Sequence, residues 1–149
     1  MDVLVSSSVL RARQTADELI TALRPGRTAI DDDLCEQHLG EGDGLPTTEF
    51  YARYGRFDPS AEQQRVMSPG GETWHDFIGR VHTVLTVWPE RYAGQTVLAV
   101  THAGFLVGMF LSAFAVPRPG TGTRIDFDFA SVTEWEFTGH WRLVSLNLT

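Results

Sequence analysis

Arg11, Glu36 and His102 are residue types that do phosphoryl chemistry, placed where that chemistry is usable. Arg11 lies in Ser6-Ser7-Ser8-Val9-Leu10-Arg11-Ala12-Arg13-Gln14-Thr15-Ala16, in the first turn of an expected helix that follows a buried strand. A helix N-terminus favours anions through its free N–H groups and its dipole. A guanidinium there adds a planar fork that can hold two phosphate oxygens at once. His102 follows the apolar run Val97-Leu98-Ala99-Val100 and precedes Ala103-Gly104, so it projects from a strand end beside the open amides of the next helix. Gly104 lets backbone come close to a ligand, and an imidazolium held there would neutralise charge on a transferring phosphoryl group. Glu36, in Leu34-Cys35-Glu36-Gln37-His38-Leu39-Gly40, lies on a loop that can fold over the same sheet edge. A carboxyl group beside phosphate charge is pushed toward its protonated form and can protonate a leaving oxygen. Taken singly, each has an ordinary explanation: a solvated surface arginine, a hydrogen-bonded histidine at a strand end, and one acid among 19.

The other candidates point to structure. His75 and His82 are seven residues apart on one helix, so about 10 Å of rise separates them and one metal cannot be reached by both. His140 falls in an expected hairpin turn, and no Cys/His or carboxylate cluster has metal-ligand spacing. Cys35 is the single cysteine, read as a half-buried small apolar residue, so no internal disulfide can form and a cytoplasmic location is expected. The net charge of -7 repels a phosphate backbone, which excludes nonspecific nucleic-acid binding while leaving room for a local anion pocket.

The elements that must position these residues follow from hydrophobic patterning. Val3-Leu4-Val5 and Val97-Leu98-Ala99-Val100 are short continuous apolar runs, the pattern of strands buried on both faces. Ser8 is expected to cap a helix carrying Ala12, Thr15, Ala16, Leu19 and Leu23 on one side, ended by Pro25-Gly26. Asp31 to Gly44 reads as an irregular loop, and Pro46 to Tyr54 as a short helix with Phe50 and Tyr54 on one face. The strongest helical pattern runs from Glu72 to Trp88, with Trp74, Phe77, Ile78, Val81, Val84, Leu85 and Trp88 forming one stripe. Ala103 to Val116 reads as a buried helix, short of the ~20 residues that cross a bilayer. After a loop over 117–122, Ser131 to Phe137 and Trp141 to Leu148 form a hairpin around Thr138-Gly139-His140. At 149 residues and 42% apolar content the chain is expected to make one domain, residues 1–149, and no leader sequence is expected at Met1. Alternating strands and helices imply an α/β sandwich of three layers around a mostly parallel sheet, with ligands at the carboxyl ends of the strands.

Taken in order, these segments resemble the histidine phosphatase superfamily, the phosphoglycerate mutase-like family. The resemblance rests on residues 6–16, on Leu34 to Gly40, on Pro69-Gly70-Gly71-Glu72-Thr73 with Arg80, on Val100-Thr101-His102-Ala103-Gly104 and on the Trp141 to Asn147 strand. It implies a phosphoryl-transfer pocket in which Arg11 and the Ala103 amide bind phosphate, His102 stabilises the transition state, and Glu36 gives and takes the proton. It implies a small phosphorylated metabolite as partner, no cofactor, no metal, no nucleic acid and no membrane. Gln37 stands where mutases of the family carry an arginine, so hydrolysis is favoured over mutase activity.

One family feature is missing. In the family a first strand ends in Arg-His-Gly, and its histidine attacks phosphorus to form a phosphohistidine; that tripeptide occurs nowhere among the 149 residues. The expectation is a chain truncated at its N-terminus, lacking a central strand that would stand between Val3–Val5 and Val97–Val100, and inactive as it stands. The alternative is a noncatalytic phosphate-binding or scaffold protein. An uncovered sheet interior would also invite pairing with a second copy.

Overall fold

The computed structural model describes residues 1–56, 58, 60–117 and 125–149. Three parallel strands, Val3–Ser6 (β1), Arg27–Ile30 (β2) and Val97–Val100 (β3), form one sheet in the order β2-β1-β3. Every residue of β1 is buried, as its unbroken apolar run requires for a strand covered on both faces. β2 was not foreseen. Its Arg-Thr-Ala-Ile carries no apolar run, because it is the sheet edge and three of its four residues are exposed.

One expectation about the sheet is corrected. β1 and β3 pair directly, Val3 with Val97 through Ser6 with Val100, so no strand position lies between them. Among the described residues the other side of β3 is unpaired, as is the outer side of β2. All four β3 residues are only half-buried, in contrast to β1.

Crossovers between parallel strands are right-handed, and the chain leaves β1 for β2 in one direction and β2 for β3 in the other. The intervening helices therefore lie on opposite faces. Leu10–Leu23 (α1) buries Ala12 and Ala16 on one side. Its N-cap is Val9 and not the expected Ser8, and Arg24, in the left-handed region, closes its far end. On the other side lie Trp74–Arg91 (α3) and Ala103–Ala113 (α4), joined in one core to Val3 and Val5, whose side chains alternate away from Leu4.

α3 starts at Trp74, the first residue of its apolar stripe and two residues past the expected Glu72, at a capping box in which Thr73 and Asp76 satisfy each other's backbone N–H. It buries Trp74, Phe77, Val81, Val84 and Leu85, worth on the order of 10 kcal/mol of transfer free energy together. Between β2 and α3 the expected irregular stretch contains two 3-10 turns, Asp32–Leu34 and Gly40–Gly42, followed by Thr47–Tyr54 (α2), where the Phe50 and Tyr54 rings pack tilted with centroids 5.2 Å apart. Cys35 is fully buried rather than half-buried.

Val132–Phe137 (β4) and Trp141–Leu148 (β5) form the expected antiparallel hairpin as a separate two-stranded sheet. The Trp141 indole N–H donates to the Leu85 carbonyl at 2.8 Å and so anchors the hairpin on α3. Of the loop expected over 117–122, all but Pro117 lies outside the described residues. Among the described residues no helix is long and apolar enough to cross a membrane.

Candidate active site

β1 and β3 are neighbours from which the chain departs to opposite sides, and their carboxyl ends form the crevice where open α/β sheets take ligands. The pairing continues past the strands, the Ser7 N–H donating to the Val100 carbonyl at 3.0 Å. This places Ser7 and His102 side by side. The Ser7 hydroxyl and His102 Nε2 are 2.8 Å apart, and both residues are buried. His102 is also the N-cap of α4, so its ring sits at the foot of that helix's free amides.

Arg11 is the second residue of α1, exposed, and close enough for its charge to act on His102. Burial foremost, then the Arg11 guanidinium and more weakly that of Arg80, push the His102 imidazole below its ordinary titration range, while the Glu36 carboxylate pulls the other way. Together these influences bias the ring toward its neutral form.

Glu36 reaches the same place from the opposite wall. Its Oε2 accepts from the Gly104 N–H at 3.0 Å and its Oε1 from the Gln37 N–H at 3.0 Å, so the carboxylate lies against the first turn of α4. Only a glycine permits this approach, because a Cβ on residue 104 would run into the Glu36 carboxylate. Ala103, expected to offer its amide, occupies the same turn and is exposed.

The loop bearing Glu36 is held by Arg80. From α3 its guanidinium donates to the carbonyls of Asp33 (2.8 Å), Cys35 (3.0 Å) and Glu36 (3.3 Å), and it pairs with Glu72 at 2.7 Å. Glu72 in turn accepts from the His38 N–H at 2.9 Å. From the β3 side, the Thr101 hydroxyl donates to the Leu34 carbonyl at 2.6 Å.

The structure thus brings His102, Glu36, Arg11 and the start of α4 to one rim. Sequence reasoning located Ser7 at a strand end without giving it a role, and matched Arg80 without a reason. The signal available for Ser7 was its place directly after a strand whose apolar run Val3-Leu4-Val5 marks it as buried on both faces. His75, His82 and His140 are exposed, and among the described residues no group of three potential ligands could hold a metal.

The family model of the histidine phosphatase superfamily (branch 1) matches residues 1–149. The bifunctional protein Rv2228c of Mycobacterium tuberculosis is 32% identical over 139 residues, which is 90% of this chain and 36% of that protein. The chain therefore spans about a third of the length of the curated relative it matches. Among solved structures, YhfR of Bacillus stearothermophilus superposes with a TM-score of 0.80 at 21% identity, covering 100% of this chain and 75% of that one. The alpha-ribazole phosphatase of Shigella flexneri gives 0.76 at 19% identity, covering 98% of this chain and 73% of that one. A mycobacterial glucosyl-3-phosphoglycerate phosphatase gives 0.66 at 22% identity, covering 99% and 77%.

Proposed function

Because this chain belongs to the histidine phosphatase superfamily (branch 1), matched over residues 1–149, we propose that it serves the hydrolysis of phosphomonoesters of small metabolites through a phosphohistidine. The observation that carries this reading is the meeting of the Arg11 charge and the Glu36 carboxylate at one buried imidazole, that of His102, beside the N-terminus of α4.

Arg11 grips the non-bridging phosphate oxygens, and the Ala103 amide supports them from the helix start. His102 donates a hydrogen bond to the charge that builds up on the transferring group. A histidine attacks phosphorus, the P–O ester bond breaks, and the leaving alkoxide takes its proton from Glu36. Glu36 then removes a proton from the water that attacks the phosphohistidine, which releases inorganic phosphate and restores both groups. Gln37, whose amide donates to the Glu72 carbonyl at 3.5 Å, is no cationic partner for a sugar-acid carboxylate. That favours hydrolysis over a mutase reaction.

The attacking histidine is the part to be supplied. We assign its strand to the unpaired edge of β3, where four half-buried apolar residues await a parallel partner. Without that partner the same edge pairs with a second copy. The second reading, a noncatalytic phosphate binder, draws on the absence of Arg-His-Gly from the 149 residues.

The test is to produce the chain extended upstream in frame, with the strand it would encode, and measure turnover of an aryl phosphate. Hydrolysis that disappears in His102→Ala supports the phosphatase. A folded, inert extended protein that still binds phosphate through Arg11 supports the binder instead.

A further inference from the structure

We propose that Ser7 is a positioning residue that fixes the tautomer of His102, donating its hydroxyl hydrogen to Nε2 so that the neutral ring carries its own proton on Nδ1. Ser7 is fully buried, so its hydroxyl hydrogen must find a protein acceptor and not water. A hydroxyl offers one donor and two acceptor lone pairs. The Val9 N–H at 3.3 Å takes one lone pair. If His102 Nε2 also donated to Ser7, the hydroxyl would hold two incoming hydrogens, and its own would lose the one side-chain acceptor the structure gives it. With Ser7 donating to Nε2, every one of these groups is satisfied.

This reverses the ordinary preference of a neutral imidazole for the proton on Nε2. It leaves Nδ1–H as the donor of the neutral ring, whose orientation the hydroxyl at the end of β1 fixes. The groups facing the ring are Arg11 from α1, Arg80 from α3 and Glu36 from the loop, and the first turn of α4 carries no acid. Both cations oppose a second proton on the ring. The benefit for phosphoryl transfer rests on the phosphatase reading, whereas the tautomer does not.

Long-range nitrogen–proton correlation spectra of histidine-labelled chain, unmutated and at alkaline pH, read the tautomer directly. A protonated Nδ1 and a bare Nε2 on His102 are expected, and a protonated Nε2 would overturn the proposal. In Ser7→Ala the ring should revert toward the Nε2–H form and its titration midpoint should rise by about one pH unit. An unchanged tautomer in a folded Ser7→Ala variant would also overturn it. Inorganic phosphate, added as the probe, should shift the Nδ1 resonance. If the tautomer is as stated and phosphate leaves Nδ1 unmoved, Ser7 keeps its role and the phosphatase reading fails.

Discussion

The Glu36 carboxylate rests on the backbone N–H of Gly104 at 3.0 Å, so a general acid–base candidate sits on the very helix turn assigned to phosphate. The contact depends on residue 104 having no side chain. Gly104→Ala should push Glu36 aside and leave the fold intact, since the displaced atoms are the end of a flexible side chain and alanine favours helix by about 1 kcal/mol. On the phosphatase reading, the expected outcome is hydrolysis by the upstream-extended protein reduced about a hundredfold, the scale of a small misplacement of a reacting group. Unfolding free energy should stay within about 1 kcal/mol. Aryl phosphate turnover alongside urea denaturation checks both.

Arg80 should matter more to stability than its position on a helix suggests. It donates to four carbonyls of the Glu36 loop, those of Asp32, Asp33, Cys35 and Glu36, and pairs with Glu72 in a contact where both side chains are less than a fifth exposed. Arg80→Ala leaves Glu72 half-buried without its cation, and a loss of about 3 kcal/mol is expected. Arg80→Lys restores the charge but not the fork, so it should recover only part of that. Chemical denaturation of the two variants tests the ordering, and equal stability of both would contradict the clamp.

Much of this site was legible in the sequence because its parts sit at element boundaries that hydrophobic pattern marks well. The apolar runs of β1 and β3 located Ser7 and His102, and the helix after β1 located Arg11. What pattern could not supply was adjacency. The direct pairing of β1 with β3 is set by packing on α1 and α3, and nothing in Val97-Leu98-Ala99-Val100 says which edge is covered. The polar edge strand β2 was invisible for the same reason, because exposure removes the periodicity that reveals a strand. Arg80 entered only as part of the family resemblance, and its purpose became visible once the carbonyls of Asp33, Cys35 and Glu36 were placed around it.

His102 should give stability a pH dependence of definite sign. Its folded pKa lies below the ordinary 6.5, so the unfolded chain binds the proton more tightly. Its contribution is full above pH 6.5 and is lost as pH falls through the folded value. Urea midpoints from pH 8 down to pH 5 should decline more steeply in the unmutated chain than in His102→Asn, which cannot titrate. Parallel curves would show that the ring does not sense its burial and the Arg11 charge.

The open edge of β3 should govern how the chain behaves alone. An unpaired strand whose residues are half-buried and apolar presents free N–H and C=O groups beside apolar surface, a template for any other strand. Sedimentation velocity of the 149-residue chain should therefore show association that grows with concentration. Substituting Leu98→Lys sets a charge on that edge and should shift the distribution toward monomer without loss of helical signal. The upstream-extended protein should be monomeric at the same concentrations and melt several degrees higher, since pairing would bury the apolar edge. If the extended protein associates as the short chain does, β3 is not where the added strand docks.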